Sequence, residues 1–213
     1  MKVALIGPTG FVGKEVLKEL LSRGHEVVAL ARDPAKLDAR AGLAVVKADA
    51  KQADQVAAAV EGVDAVVNAY NPGWSVADIH TEFLEGTRAI YDGVKRAGVK
   101  RLLVVGGAGS LFAAPGLKVI DTPNFPDAYR AEASAGGVFL DTLRNEKDLD
   151  WTFLSPSAEF VEGERTGKFR LGKDDLLVSA EGRSWISFAD YAIAFIDELE
   201  KPAHSRQRYT IGY

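Results

Sequence analysis

The clearest chemical pattern in the chain is Gly7-Pro8-Thr9-Gly10-Phe11-Val12-Gly13, set between a short apolar run and a helical stripe. A dinucleotide pyrophosphate needs close backbone approach, so side chains must be missing where the chain turns beneath it. Its charge then meets unpaired N–H groups at the positive end of a helix. In this reading Gly7 and Gly10 make the turn, and Thr9, Phe11 and Val12 contribute backbone around the phosphates. Gly13 lets the helix pack close to the strand. The spacing is G-x-x-G-x-x-G, not the basic G-x-G-x-x-G fingerprint, and incidental glycines in a tight turn are the plainer reading. The strand before the loop and the stripe after it favour a phosphate site.

The end of the second apolar run, Val27 to Ala31, is followed by Arg32, Asp33 and Pro34, with Lys36 close behind. A guanidinium there matches the oxygens of a ribose 2′-phosphate. A carboxylate would instead accept hydrogen bonds from the ribose hydroxyls. Asp33 before Pro34 also reads as a helix cap with proline in the first helical position, and Arg32 reads equally as a solvated charge. NADP(H) is favoured, and NAD(H) stays open.

Further along, Ser110 follows the fifth apolar run, where open α/β sheets bind ligands. It would orient a substrate or donate a hydrogen bond, or simply bond its own loop backbone. Tyr70, Trp74 and His80 follow the fourth run. Trp74 could stack on a planar ligand and His80 could pass a proton, against the plainer readings of loop packing and a capping histidine. Phe112, Phe125 and Tyr129 either line an aromatic pocket or anchor a long loop.

These residues need a scaffold that gathers them. Continuous apolar runs at Val3–Ile6, Val27–Ala31, Leu43–Val46, Ala65–Val67 and Leu102–Val105 read as strands covered on both faces. Helical stripes lie between them: Val12 to Leu21 closed by Gly24, Ala53 to Val60, and Phe83 to Ala97 closed by Gly98. This alternation predicts an α/β fold, a doubly wound Rossmann-like parallel sheet with helices on both faces. The second half predicts a loop from Gly106 to Asp127, a helix ending near Lys147, and a sixth strand at Trp151–Leu154. Two short strands at Lys168–Leu171 and Leu176–Val178 would form a small C-terminal lobe on the substrate side. Ser187-Phe188-Ala189-Asp190 has capping-box spacing and opens the last helix. Tyr209–Ile211 then reads as an edge strand. With no linker or repeat, one domain over residues 1–213 is expected.

Composition removes several classes. The absence of cysteine excludes disulfides, thiolate nucleophiles and cysteine metal sites. His25, His80 and His204 are too far apart for a local metal motif, so no metal is expected. A net charge of −4 argues against a nucleic-acid partner. No apolar run is long enough to span a bilayer, and Gly7-Pro8 cuts the first one too short for a secretory signal. A cytoplasmic protein acting on a small molecule is expected.

The chain resembles the atypical short-chain dehydrogenase/reductases, most closely the small NAD(P)H-binding proteins grouped with flavin reductase and biliverdin reductase B. The resemblance rests on the Gly7–Gly13 loop, Lys47-Ala48-Asp49-Ala50, Asn68-Ala69-Tyr70, Val104-Val105-Gly106-Gly107-Ala108-Gly109-Ser110 and Trp151-Thr152-Phe153-Leu154-Ser155-Pro156-Ser157. It implies Asp49 and Ala50 at the adenine, and Asn68 and Ala69 beside the ribose. Gly106, Gly107 and the segment with Pro156 would lie near the nicotinamide. One departure is plain. Ordinary members use Tyr-x-x-x-Lys to exchange a substrate proton, but Tyr129 is followed four residues on by Ala133. Tyr91 and Lys95 fit the spacing, yet lie inside the helix after the fourth strand and read as a helical i,i+4 pair. The implied activity is hydride transfer to a planar acceptor such as a flavin or quinone. The alternative is a non-catalytic redox sensor like the NmrA-like relatives.

Overall fold

The computed structural model describes residues 1–213. In chain order the elements are β1 (Lys2–Ile6), α1 (Phe11–Ser22), β2 (Glu26–Ala31), β3 (Leu43–Lys47), α2 (Ala53–Val60), β4 (Ala65–Asn68), α3 (Ile79–Arg96) and β5 (Arg101–Val105). They continue as β6 (Phe112–Ala114), β7 (Leu117–Lys118), α4 (Asp127–Arg144), β8 (Asp150–Ser155), β9 (Glu159–Val161), β10 (Arg170–Gly172), β11 (Trp185–Ser187), α5 (Phe188–Glu200) and β12 (Gln207–Gly212).

Eight strands form one sheet in the order β10-β12-β8-β5-β4-β1-β2-β3. All neighbours in it are parallel except β10, which runs against β12. Strand order reverses between β1 and β4, the switch point at which doubly wound sheets open a ligand crevice. Helices α1 and α5 pack together on one face, while α3 sits between α2 and α4 on the other. The two faces bury apolar clusters of 22 and 19 residues, so the sheet is covered about equally on both sides. That explains why its strands read as continuous apolar runs. No helix is long and apolar enough to cross a membrane.

Local signals set the helix ends. Gly24 takes a positive φ of 78° just past α1, a conformation that disfavours any residue with a Cβ. Asp78 caps α3 by accepting from the Thr81 N–H at 3.1 Å. Ser187 caps α5 by accepting from the Asp190 N–H at 3.0 Å. The Asp190 carboxylate does not complete a capping box. It turns instead to the Thr166 and Gly167 N–H groups, both at 2.8 Å, and accepts the Tyr213 hydroxyl at 2.7 Å. A loop of the C-terminal lobe is thereby pinned to the N-terminus of α5.

The second half departs from the sequence expectations in five places. Tyr209–Ile211 is not an edge strand: β12 lies inside the sheet between β8 and β10. Its Arg208 is buried through an ion pair, so a residue that reads as solvent-facing disguises an interior strand. The edge is β10, at Arg170–Gly172 and not Lys168–Leu171. Leu176–Val178 is no strand; the Leu176 N–H bonds the Phe112 carbonyl at 2.9 Å and Leu177 packs on Gly172 and Gly212. The expected loop at 106–127 contains the β6–β7 hairpin, and the lobe contains an unforeseen parallel pair, β9 with β11.

Candidate functional site

The three glycines of the first loop differ in what a side chain would meet there. Gly7 has φ of 81°, and a Cβ there would stand 2.3 Å from the Ala69 carbonyl oxygen. A Cβ on Gly13 would stand 1.9 Å from the Gly7 carbonyl oxygen, so this position fixes how close α1 comes to the loop. Gly10 is different. Its φ is −72°, and a Cβ would meet only the Gly7 oxygen at 3.6 Å, an ordinary contact. The protein itself does not need glycine there; a ligand lying on the loop would. Gly10 is also the α1 N-cap and offers no side-chain acceptor, so the first N–H groups of the helix keep their hydrogen-bonding capacity. This arrangement suits a pyrophosphate.

At the end of β2, Asp33 accepts from the Ala35 N–H at 3.2 Å and caps the short turn Pro34–Lys36. Arg32 and Lys36 are also exposed there. After β3, Asp49 accepts from the Lys51 N–H at 3.0 Å, and its own N–H donates to Gln55 Oε1 at 2.9 Å. Asp49 and Ala50 remain partly exposed at this edge. Asn68 is buried at the end of β4, where its Oδ1 accepts from the Tyr70 N–H at 2.9 Å; Ala69 packs over Gly7. The Tyr70 ring lies on Gly86 of α3, where any Cβ would fall 2.3 Å from it, and its hydroxyl donates to the Glu82 carbonyl at 3.2 Å. Burial raises the Tyr70 pKa. Its hydroxyl is tied to the scaffold.

Across the switch point, β5 runs into Gly106 and Gly107. A Cβ on Gly106 would collide with the Phe153 ring at 2.1 Å, whereas Gly107 faces open space. Pro156 is buried just beyond β8. Trp74 and Tyr129 come together from the β4–α3 loop and the first turn of α4. Their rings meet edge to face at 5.2 Å and are both about half exposed, at 51% each. His80 sits partly buried in the first turn of α3 without a side-chain hydrogen bond. Phe112 is not part of this pocket: its backbone pairs with β7 and with Asp174–Leu176, and it does not line the cavity beside Ser110. Phe125 stacks under the Arg130 guanidinium at 5.3 Å.

Ser110 lies on the rim of a cavity of about 20 Å³ formed with Phe83, Gly107, Glu132, Gly136 and Phe153, among others. Sequence reasoning missed two charged residues around it. Arg208 donates to Ser110 Oγ at 3.4 Å and to Asp174 Oδ1 at 2.8 Å, with its side chain only 1% exposed. The same Asp174 carries the carbonyl that accepts from the Phe112 N–H, so one ion pair braces the loop bearing Ser110. Glu132, on α4, lines the cavity with no ion pair and no hydrogen bond, and burial raises its pKa. A buried arginine on a misread strand left no local signal. Glu132 could have been found, because it follows Tyr129 by three residues and so shares its helical face.

Tyr91 and Lys95 are far from these groups. Lys95 Nζ reaches Glu146 at 2.9 Å and Asp148 at 3.0 Å, and the Tyr91 hydroxyl also bonds Glu146. Burial alone would raise the Glu146 carboxyl, but Tyr91, Lys95 and the backbone N–H groups of Asp148 and Leu149 outweigh it and hold it at about 2. The pair anchors the α4–β8 turn to α3, at the sheet edge opposite the glycine loop.

Known proteins resemble this chain over its whole length. A Bacillus subtilis protein of uncharacterised function, YwnB, is 43% identical over 99% of this chain and 98% of its own. The structure of a Bacteroides thetaiotaomicron protein provisionally named an epimerase is 48% identical with a TM-score of 0.94, covering 100% of this chain and 96% of that one. A Streptococcus pneumoniae protein provisionally named an NADH-flavin reductase is 35% identical with a TM-score of 0.86, covering 100% and 99%. The sequence profile of the NAD(P)H-binding family matches residues 7–202, from the first loop glycine to beyond α5, and the chain belongs to that family.

Proposed function

We propose that this protein is an NAD(P)H-dependent reductase of a planar acceptor such as a flavin or quinone, with NADP(H) as its preferred dinucleotide. Gly7, Gly10, Gly13 and the backbone of Thr9, Phe11 and Val12 would hold the pyrophosphate. Asp49, Ala50, Asn68 and Ala69 would flank the adenosine half, with Arg32 and Lys36 beside the 2′-phosphate. Gly106, Gly107 and Pro156 would bound the nicotinamide half. When bound, the dinucleotide supplies the hydride.

The observation carrying the reading is the Trp74–Tyr129 pair. Two half-exposed rings from separate elements, held edge to face, offer an apolar surface for a flat ligand. Ser110, braced by Arg208, keeps a hydroxyl available for orienting that ligand. The provisional epimerase name of one relative argues for a different reaction. Alcohol and sugar oxidation in this superfamily depends on a tyrosine acidified by a lysine four residues on, and here Tyr129 faces Ala133 in that spacing.

NADPH oxidation with FMN, riboflavin and a simple quinone tests the proposal. Acceptor-dependent turnover supports it. Tight NADPH binding with no turnover across the panel overturns it and favours the sensor alternative.

A further inference from the structure

We propose that Glu132 is the proton donor of the reduction, placed by its cavity at the substrate end of the site; this rests on the reductase reading above. A two-electron reduction of a conjugated acceptor adds a hydride at one atom and a proton at the heteroatom left negative. The hydride comes from the reduced dinucleotide, and the proton comes from the Glu132 carboxyl. The resulting carboxylate recovers its proton from solvent, which the half-buried side chain can reach.

Geometry places the acid where it is needed. Tyr129, Glu132, Ala133 and Gly136 recur at helical spacing, so one face of α4 carries both the aromatic surface and the carboxyl. Glu132 shares its cavity with Ser110, Gly106 and Gly107, the groups at the end of β5. About 20 Å³ is room for one heteroatom-sized group and not for a ring system. The acceptor ring would therefore lie against Trp74 and Tyr129, with only its polar atom directed at the acid.

The glycines point the same way. Gly136 and Gly137 lie inside α4, where glycine weakens a helix, and a Cβ on either would meet nothing within 4 Å. Packing does not call for them; room beside the cavity does. The charged surroundings leave the carboxyl alone. Arg130, its neighbour on α4, is committed to Asp127 and to the carbonyls of Ile120 and Phe125. From the other elements α3 presents Phe83, β8 presents Phe153 and the β5 loop presents Ser110, while Arg208 of β12, behind Ser110, is already paired with Asp174. None of these is free to neutralise a carboxylate, and burial accordingly favours the protonated form.

The test compares wild type, Glu132→Gln and Glu132→Asp in NADPH oxidation with the best acceptor, across pH. Loss of a general acid should lower kcat by on the order of 100-fold or more in Glu132→Gln, with NADPH affinity unchanged. Wild-type kcat should fall as pH rises through the Glu132 pKa, and that limb should vanish in Glu132→Gln. Glu132→Asp should recover part of the rate. Infrared spectroscopy of the protein without dinucleotide gives a second readout. In a pH titration, one protonated carboxyl band should persist to higher pH than the bands of exposed carboxyls in wild type, and be missing from Glu132→Gln. Turnover of Glu132→Gln at the wild-type rate with the same pH profile, or no such band, would overturn the assignment while leaving the reductase reading intact. A wild type that reduces no acceptor would bring both down.

Discussion

The half of the sheet from β1 to β4 and the half from β5 to β12 are held together by different means. In the first half each glycine, cap and apolar run acts on residues a few positions away or on the next strand. Gly13 packs on Gly7, Asp33 on Ala35, and Asn68 on Tyr70. In the second half, fixed side chains join residues far apart in sequence. Arg208 spans to Ser110 and Asp174, Asp190 holds Thr166 and Tyr213, and Arg101 bonds Glu198 and Thr152. A dinucleotide demands mostly backbone, which local sequence dictates. A substrate pocket demands side chains brought in from many elements.

The sharpest way to break this contrast is within the glycine loop. Gly13→Ala should unfold the protein or cost several kcal/mol, because the clashing atom is backbone and cannot move aside. Gly10→Val should instead cost about 1 kcal/mol or less in stability while abolishing measurable NADPH binding. Thermal denaturation and calorimetry on both variants separate the two roles. A Gly10→Val protein that still binds would make the loop a packing turn only.

Next in size is the brace of the second half. Asp174→Ala leaves the Arg208 guanidinium buried without its carboxylate and should cost about 3 kcal/mol. In a chain of this length that lowers Tm by roughly 6–12 °C. Loss of less than about 1 kcal/mol would mean that the pair behaves as an exposed salt bridge.

A smaller effect is expected at Arg32. Its replacement by alanine should remove a charge-assisted contact of about 1.5–3 kcal/mol, and with it a more than tenfold preference for NADPH over NADH. Equal affinities in the wild type would remove the 2′-phosphate assignment. Smallest is Ser110→Ala, which should lower kcat by on the order of tenfold because water can replace an orienting hydroxyl. An inactive Ser110→Ala enzyme with intact NADPH affinity would make this serine the essential group in place of Glu132.

The same contrast explains what the sequence alone disclosed. Strands β1 to β5, their helices and the loop glycines are legible because period, burial and turn chemistry agree locally. The interior position of β12 is not, since Arg208 looks solvent-facing until Asp174 pairs with it. The β9–β11 pair and the β6–β7 hairpin are too short to carry periodicity. Trp74 and Tyr129 are individually recognisable as aromatic candidates, but their contact across 55 residues of chain is a product of the fold. Glu132 belongs to no motif; its spacing from Tyr129 puts it on the same helical face, but its cavity is a product of the fold.

In the proposed reaction a dinucleotide held on the glycine loop reduces a flat acceptor lying against Trp74 and Tyr129. Rapid mixing of the NADPH-loaded protein with excess flavin, following nicotinamide absorbance, tests this most directly. We expect an acceptor-dependent decay that deuterium at the transferred position of NADPH slows, and that Trp74→Ala weakens in its dependence on flavin concentration. A nicotinamide signal that persists in the presence of every planar acceptor tried would contradict it.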